Sequence, residues 1–190
     1  MSAAYCRLAP GHPWHGPYHD SEYGFPAEEE AVLFERLVLE INQAGLSWLT
    51  VLQKRAAFRA AFASYEVDRV AAFGETDVAR LLADAGIVRN RLKVAAVINN
   101  ARVIQRLRQS HGSFHAWLDA HHPLPLEEWT RLFRRTFRFT GGLIVHEFLM
   151  SLGYLPGAHE PDCPVYARIL PLAPPWRRAP PGSAPKNDGV

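Results

Sequence analysis

Apolar positions recur at helical spacing along most of the chain. Leu33, Leu37 and Ile41 fall on one face of a helix that begins near Glu28, and Ser47 is a suitable N-cap for the helix that follows. No stretch alternates apolar and polar residues as a strand does, so the pattern predicts an all-α fold. The same reasoning places further helices at 47–62, 67–73, 77–83, 90–108, 113–120, 126–136 and 142–152.

The two ends of the chain have a different composition. Residues 1–26 are rich in Gly, Pro, His and Tyr, which predicts an irregular but ordered loop. Six prolines fall between 171 and 185, and such a segment cannot bury enough apolar surface to order itself. We therefore predict a helical domain at 1–173 followed by a flexible extension at 174–190.

Composition narrows the class of protein. At 190 residues and 48% hydrophobic content, the chain has room for one well-packed domain, with space for two lobes. No apolar run is long enough for a membrane helix, and the N-terminus does not show a signal pattern. We therefore expect a cytoplasmic protein. The net charge of +2 neither indicates nor excludes binding to nucleic acid. Whether basic residues cluster on one surface is the more informative property.

Four residues near the two ends of the sequence have the spacing of a metal site. Cys6 and His19 form C-x12-H, while His159 and Cys163 form H-x3-C, and these are the only two cysteines. A disulfide between them is disfavoured in a reducing compartment. Zinc favours four thiolate and imidazole ligands in a closed structural site. The spacing thus indicates a zinc ion that joins the two ends, and the alternative is unrelated thiols among nine histidines.

Basic residues follow a predicted turn between two helices at 81–101. Gly86 supplies the backbone freedom of a sharp hairpin, whose amide groups and helix N-terminus can bind a phosphate. Arg89, Arg91 and Lys93 come directly after the turn and would reinforce an anion site. The alternative is an ordinary helical hairpin with a solvated basic rim.

A second basic group lies at the end of the helix predicted at 126–136. Arg131, Arg134, Arg135 and Arg138 recur at i, i+3, i+4 and i+7, which is one helical face. A face of a single charge repels itself, so phosphate contact is the functional interpretation. Salt bridges to acidic neighbours are the alternative.

Glu40 and Trp48 are candidates for a pocket. Glu40 lies on or near the face of its helix that we expect to be buried, and a carboxylate there is either paired or functional. Trp48 follows a turn, from which an aromatic ring can project into a cleft.

Taken together, these segments resemble the 3-methyladenine DNA glycosylase I family of the helix-hairpin-helix glycosylase superfamily. The resemblance runs from Cys6 to Cys163, and the run QAGLSW and the four metal positions are its most specific parts. The segments that carry it are YHDSEYG at 18–24, FERLVLEINQAGLSW at 34–48, VLQKRAAFRAAF at 51–62, DAGIVRNRLKVAAVINNA at 84–101 and RFTG at 138–141.

The resemblance implies a two-lobed helical fold whose termini are joined by a structural zinc. It also implies that Tyr18 and Trp48 sandwich an extruded base and that Glu40 hydrogen-bonds its edge. The implied activity is the monofunctional, hydrolytic release of alkylated purines, chiefly 3-methyladenine, from double-stranded DNA. We expect a monomer that has no membrane partner.

Several positions depart from the family pattern. Ile41 replaces a small residue, the run at 140–143 differs, and His146 and Glu147 replace a tyrosine and a small residue. We expect His146 and Glu147 to form an exposed helical turn, and the alternative is that they bring a new proton donor or acceptor into the site. These departures leave two alternatives open: a glycosylase for another damaged base, and a zinc-stabilised module that binds DNA without cleaving it.

Overall fold

The structure is a computed structural model that describes residues 3–178. The described span is helical and contains no strand, which confirms the all-α prediction. None of the described helices is both long and apolar enough to cross a membrane. Within this span the helices are α1 (Ala3–Leu8), α2 (His15–Ser21), α3 (Glu30–Gln43), α4 (Trp48–Ala61), α5 (Val67–Ala71), α6 (Glu75–Ala83), α7 (Arg91–His111), α8 (Phe114–His121), α9 (Leu126–Thr136), α10 (Gly142–Ser151) and α11 (Pro164–Ile169).

Local capping explains where the main helices begin and end. Ser47 Oγ accepts a hydrogen bond from the Thr50 amide at 3.1 Å, which confirms the predicted N-cap of α4. The side chain of Asn90 accepts from two amides of the first turn of α7. The long helix α7 ends at Gly112, whose φ of +85° lies in the left-handed region that favours glycine.

Helix α3 lies at the centre of the fold. It packs against α4, α5, α7, α8 and α10. The predicted apolar face is fully buried at Leu33, Leu37 and Ile41 and belongs to a single large hydrophobic cluster. A smaller cluster surrounds α11 and includes Cys163. The central position of α3 carries Glu40 deep into the protein.

The N-terminal segment differs from the prediction of an irregular loop, because it forms α1 and α2. Tertiary packing overrides its weak helical propensity, since Tyr5 and Tyr18 are both buried. The start of α2 is capped by a side chain outside the helix: His12 Nδ1 accepts from the amides of Trp14 and His15, each at 3.1 Å. Residue composition does not reveal such a cap.

The predicted boundary at 174 also lies too early. The amide of Trp176 donates to the carbonyl of Gly153 at 3.0 Å, and its ring stacks on Tyr166 with centroids 6.4 Å apart. Arg178 forms an ion pair with Asp119 at 3.0 Å. The packed domain therefore continues to at least residue 178, and the rest of the predicted extension lies outside the described residues.

Candidate functional site

Three predicted residues come together from three helices. Tyr18 lies on α2, Glu40 on α3, and Trp48 is the first residue of α4. The rings of Tyr18 and Trp48 are in contact, with centroids 5.1 Å apart and planes at 60°. The three side chains are buried, with exposed fractions of 1%, 2% and 7%. Together with Arg36, they are called the Tyr18 site below.

Polar atoms of the Tyr18 site lack hydrogen-bond partners. In the described part of the chain, seven buried side-chain N or O atoms have no partner, and five of them belong to this site. Native proteins leave few such atoms, because each costs about 1–3 kcal/mol. Their concentration at one place indicates a site that a ligand completes. The five atoms are the Tyr18 hydroxyl, Arg36 Nε and Nη1, Glu40 Oε1 and Trp48 Nε1.

An ion-pair network holds the Tyr18 ring from one side. The Arg36 guanidinium lies 4.7 Å above the ring centroid of Tyr18, and its Nη2 donates to Glu22 at 2.9 Å. Burial raises the pKa of the Tyr18 hydroxyl, and the charge of Arg36 opposes this rise, although the contact between the two side chains lacks hydrogen-bond geometry. Glu22 is held in turn by Arg55 through bonds of 2.6 and 2.7 Å. This network was not predicted from the sequence, because Glu22, Arg36 and Arg55 lie on separate segments that only the fold brings together.

The same network fixes the charge of Glu22. Burial alone would raise the pKa of this carboxyl, but the hydrogen bond from Arg55 and the charge of Arg36 hold it below its ordinary value. Glu22 therefore stays ionised at neutral pH and keeps Arg36 in place beside Tyr18.

Glu40 has the opposite electrostatic environment. Burial and, to a lesser extent, the nearby carboxyl of Glu147 raise its pKa to about 8, against the opposing charge of Arg36. Its ordinary value is 4.5. At neutral pH the Glu40 carboxyl therefore holds a proton for most of the time. A perturbed acid inside a buried polar cluster is typical of a functional site.

The implied sandwich of a base between Tyr18 and Trp48 is not present in this conformation. Their rings touch each other, and the guanidinium group of Arg36 lies over the Tyr18 ring. A planar ligand can enter between the two rings only if the indole first moves away from Tyr18. Tyr18 also lines an open depression of 380 Å³ with Glu22 and Arg55, which neither Glu40 nor Trp48 reaches.

Glu147 differs from the prediction of an exposed turn. Its exposed fraction is 6%, and its Oε2 accepts a hydrogen bond from the Tyr23 hydroxyl at 3.0 Å. The neighbouring His146 is partly exposed, with Nδ1 3.7 Å from Glu147 Oε1. Helix α10 packs against α3, which carries Glu40, and the charge of Glu147 contributes to the raised pKa of Glu40.

The four predicted metal residues converge in space. Cys163 Sγ lies 3.7 Å from His19 Nε2 and 3.7 Å from His159 Nδ1, and Cys6 Sγ lies 3.7 Å from the same His159 nitrogen. All four candidate ligand atoms lie within 4.8 Å of one another. Tetrahedral zinc, with bonds of about 2.0–2.3 Å, separates its ligands by about 3.3–3.8 Å. These residues are called the Cys/His cluster below.

The second nitrogen of each imidazole in the Cys/His cluster has a partner. His159 Nε2 lies 2.7 Å from the carbonyl of Tyr23, and His19 Nδ1 lies 2.7 Å from Asp20 Oδ1. Both oxygens are acceptors, so these outward nitrogens donate, and the inward nitrogens are the ones that can bind a metal ion. This is the arrangement of metal-binding histidines.

Gly86 is required at the hairpin for a different reason from the predicted one. Its φ is not positive, but a Cβ there would lie 2.9 Å from Asp84 Oδ1 and 3.0 Å from Ala57 Cβ. Its amide donates to Asp84 at 2.7 Å, and its carbonyl accepts from Lys54 at 3.2 Å. The Gly86 amide is therefore not free for a phosphate, and the glycine permits close packing of the hairpin on α4.

Lys93 does not contact solvent as a phosphate ligand would. It is buried, and its Nζ donates to the carbonyls of Asn42 at 2.9 Å and Ala44 at 2.6 Å. These carbonyls end α3, so the ammonium group caps that helix. The prediction of Lys93 as a DNA contact is wrong, because Lys93 lies on the buried face of α7 whereas Arg91 and Leu92 lie on the exposed face.

The predicted arginines partly share one surface. Arg91 and Arg138 line an open groove of 750 Å³, and Arg134 and Arg138 line an adjoining depression of 470 Å³. The side-chain amide of Asn100 holds the Arg138 backbone through bonds of 2.7 and 3.0 Å. Arg89 is exposed but lines neither depression.

Arg131 stands apart from this surface, because its guanidinium pairs with Glu128 at 3.8 Å. The four arginines at 131–138 therefore do not act as one face. The three toward the C-terminal end, Arg134, Arg135 and Arg138, line the same depression.

Comparison with known proteins gives consistent matches. A profile of the methyladenine glycosylase family matches residues 9–130. The chain is 37% identical over 168 residues to DNA-3-methyladenine glycosylase 1 of Escherichia coli (strain K12), covering 78% of this chain and 89% of that protein. The matched profile includes Tyr18, Glu40 and Trp48 and ends before Glu147.

Solved structures of similar fold agree. A 3-methyladenine DNA glycosylase I in complex with 3-methyladenine matches with a TM-score of 0.76 and 30% identity, over 85% of this chain and 96% of that one. The 3-methyladenine DNA glycosylase I of Staphylococcus aureus also matches with a TM-score of 0.76 and 30% identity, over 87% and 97% of the two chains.

Proposed function

The chain belongs to the methyladenine glycosylase family, and from that premise we propose that it hydrolyses the bond between 3-methyladenine and deoxyribose in double-stranded DNA. The observation that carries the proposal is the Tyr18 site, where buried polar atoms of Tyr18, Glu40 and Trp48 make no well-formed hydrogen bond within the protein, although the Trp48 indole approaches the Tyr5 hydroxyl. A purine has hydrogen-bonding groups along its edge and a π face, so it can satisfy these atoms and stack on an indole.

The chemistry of the lesion suits a site of this kind. Adenine alkylated at N3 carries a positive charge, so its glycosidic bond is already weak and the base departs as a neutral molecule. The enzyme must take the nucleotide out of the stack, hold the base and admit a water molecule. The positive charge of the base favours loss of the Glu40 proton to solvent, and the resulting carboxylate hydrogen-bonds the edge of the base. The Trp48 ring adds a cation–π contact of about 1–2 kcal/mol.

Entry of the base requires the Tyr18 site to open. Trp48 is the most exposed of its three aromatic and acidic members and begins α4 directly after a loop, so its indole is the group that moves. Tyr18 stays in place because Arg36 and Glu22 hold it. In the proposed complex the base stacks on Trp48, while the Tyr18 hydroxyl and Glu40 contact its edge.

We further propose that the Cys/His cluster binds one structural zinc ion. Two thiolates and two imidazoles are the ligand set that zinc prefers, and three of the separations between ligand atoms, at 3.7 Å each, suit a tetrahedral ion. When bound, zinc contributes folding free energy by joining the N-terminal segment to α11. Because His19 follows Tyr18 on α2, a ligand at His19 also fixes the position of the Tyr18 ring.

DNA binding is assigned to the grooves lined by Arg91, Arg134 and Arg138. Exposed guanidinium groups suit phosphate oxygens, and such contacts position the duplex without reading its sequence. Arg89 remains a candidate at the edge of this surface, and Gly86 supports it indirectly by letting the hairpin pack on α4.

The positions of the lysine side chains favour a hydrolytic activity over a lyase activity, which would need a free amine as the nucleophile. Lys54 and Lys93 both donate to backbone carbonyls, so neither amine is free to attack a sugar carbon. The remaining lysine, Lys186, lies outside the described residues.

The experiment that tests the proposed function is the release of free base from DNA that carries several methylated purines, analysed by chromatography. We expect 3-methyladenine to be released in preference to the other alkylated bases. Release of a different base alone would establish a glycosylase for another lesion. Tight binding of the DNA without release of any base would establish the non-catalytic alternative.

A further inference from the structure

Phe139 is an aromatic residue with an unusual backbone conformation, and the proposed function does not use it. Its φ of +61° lies in the left-handed region, which a bulky side chain seldom adopts. Such a conformation costs free energy and persists only where the surrounding structure enforces it. Burial of the ring does not offset this cost, because Phe139 is 38% exposed. The conformation therefore points to a role at the surface.

The residues on both sides of Phe139 are fixed by buried neighbours. The Arg138 amide donates to Asn100 Oδ1 at 2.7 Å, and Asn100 Nδ2 donates to the Arg138 carbonyl at 3.0 Å. Asn100 is fully buried. On the other side, the buried Thr140 hydroxyl donates to the carbonyl of the buried Phe137 at 3.3 Å. The backbone from which the Phe139 ring projects is thus held in place, as a preorganised contact residue requires.

The surroundings of the Phe139 ring are basic. Phe139 lines the depression of 470 Å³, and within residues 3–178 this lining contains four arginines and no acidic side chain. These arginines are Arg106, Arg134, Arg135 and Arg138. The ammonium group of Lys93 lies 5.9 Å from the ring centroid. Aromatic rings among cations are typical of surfaces that bind nucleic acid, where bases stack on the rings and cations contact the backbone.

Phe139 also lies near the loop that joins two parts of the Tyr18 site. The Lys93 ammonium that approaches the ring donates to the carbonyl of Ala44 at 2.6 Å. Ala44 lies between α3, which carries Glu40, and α4, which begins at Trp48. The ring therefore stands where the arginine-lined depression meets the segment that leads into the Tyr18 site.

We propose that Phe139 stacks on a base of the duplex that is uncovered when the damaged nucleotide leaves the helix. Extrusion of one nucleotide leaves a gap, so the bases beside it lose a stacking neighbour and the base opposite loses its pairing partner. An aromatic side chain that covers one of these bases lowers the cost of extrusion. This inference rests on the proposed function, since the gap exists only if the protein extrudes a nucleotide.

The test compares affinity for two duplexes, measured by fluorescence anisotropy at one salt concentration. One duplex is intact, and the other carries a tetrahydrofuran abasic site, which provides the gap without a lesion base. We expect the wild type to prefer the abasic duplex. Phe139→Ala should reduce this preference about tenfold, the usual scale for loss of one stack between a base and an aromatic side chain. Phe139→Tyr retains a ring and should keep the preference of the wild type.

Two control variants separate stacking from other contacts. Arg138→Gln should weaken binding to both duplexes alike and leave the preference unchanged, because a phosphate contact does not depend on the gap. Leu172→Ala also removes an exposed apolar side chain, but Leu172 lines neither arginine groove. It should leave both affinities at their wild-type values.

The stability of a glycine variant gives a second readout. Glycine adopts a left-handed φ without steric cost, so Phe139→Gly should be more stable than Phe139→Ala in chemical denaturation. It should lose the preference for the abasic duplex to the same extent. If the glycine variant is no more stable than the alanine variant, the backbone of Phe139 is not strained and the premise of the proposal fails.

The outcomes separate the role of Phe139 from the proposed function. If the wild type releases no 3-methyladenine from methylated DNA, the proposed function fails. If it releases the base, the proposed function stands. The role of Phe139 is then refuted if the wild type does not prefer the abasic duplex, or if Phe139→Ala keeps the wild-type preference.

Discussion

The Cys/His cluster and the Tyr18 site share the short helix α2, yet they differ in how their polar atoms are satisfied. In the Cys/His cluster the outward nitrogen of each imidazole already has an acceptor, and the inward atoms lie at metal-binding separations. In the Tyr18 site, polar atoms are buried without partners and the aromatic rings close on each other. The arrangement of the Cys/His cluster favours stability of the fold. The Tyr18 site leaves polar atoms unpaired, which lowers the stability of the free protein but allows a ligand to bind there.

The largest expected effect concerns the Cys/His cluster. His159→Asn should abolish zinc binding and lower the free energy of unfolding by an amount on the order of 5 kcal/mol or more, because structural zinc contributes folding energy directly. Elemental analysis and chemical denaturation measure both effects. His111→Asn, the same change at an exposed histidine, should retain one zinc per chain. Wild-type protein purified without zinc and equally stable would contradict the assignment.

The next largest effect concerns catalysis in the Tyr18 site. Glu40→Gln keeps the shape of the side chain but cannot ionise, so it loses the attraction for the cationic base. We expect kcat/KM for release of 3-methyladenine to fall about 10²–10³-fold, the usual scale for removal of one electrostatic contact in an active site. Affinity for undamaged DNA should not change. A wild-type rate of release would show that Glu40 is not part of the mechanism.

The same variant should become more stable than the wild type as pH rises. A carboxyl whose pKa is raised from 4.5 to about 8 in the folded state loses stability between those values, because the folded protein resists its ionisation. Glutamine has no proton to lose. The advantage of Glu40→Gln should grow by about 2–4 kcal/mol between pH 5 and 9. An advantage that is constant with pH would place Glu40 in a solvated environment.

A smaller effect is expected at the stacking residue. Trp48→Ala should cost about 1–3 kcal/mol in kcat/KM, the usual range for contact between an aromatic side chain and a base. Trp48→Phe retains a ring and should recover much of this loss. If the alanine and phenylalanine variants are equally impaired, the indole N–H rather than stacking carries the effect.

The smallest effect concerns the DNA surface. Arg138→Gln should reduce the slope of log affinity against log salt by about one unit and weaken binding to all sequences alike. Arg69→Gln is a control, since Arg69 is ion-paired with Glu66 at 3.1 Å and lines neither arginine groove. A salt slope unchanged in Arg138→Gln would place the duplex elsewhere.

The sequence predicted the parts of the molecule that local patterns determine. Helical periodicity predicted the central helices, and Ser47 marked the start of α4 because N-capping depends on one residue and its neighbours. The metal residues followed from ligand type and spacing. The four side chains could be predicted to converge because this requires only that the N-terminal and C-terminal segments lie side by side.

Features that depend on packing between distant segments were missed. The cap that His12 supplies to α2 requires a folded-back loop, and the inward turn of Lys93 requires the end of α3 beside α7. The burial of Glu147 depends on which face of α10 meets α3. Gly86 was identified correctly as special, but its reason is a close approach to Ala57, which only the tertiary structure reveals.

The central claim is that the unpartnered atoms of the Tyr18 site bind the alkylated base. The most direct measurement is an NMR titration of the indole N–H resonances of the five tryptophans with free 3-methyladenine. Trp129 is an internal control, because its Nε1 is also buried without a partner but lies outside the Tyr18 site. We predict a saturable shift of the Trp48 resonance and none for Trp129. A saturable shift at Trp129 or another tryptophan, with Trp48 unchanged, would contradict the claim.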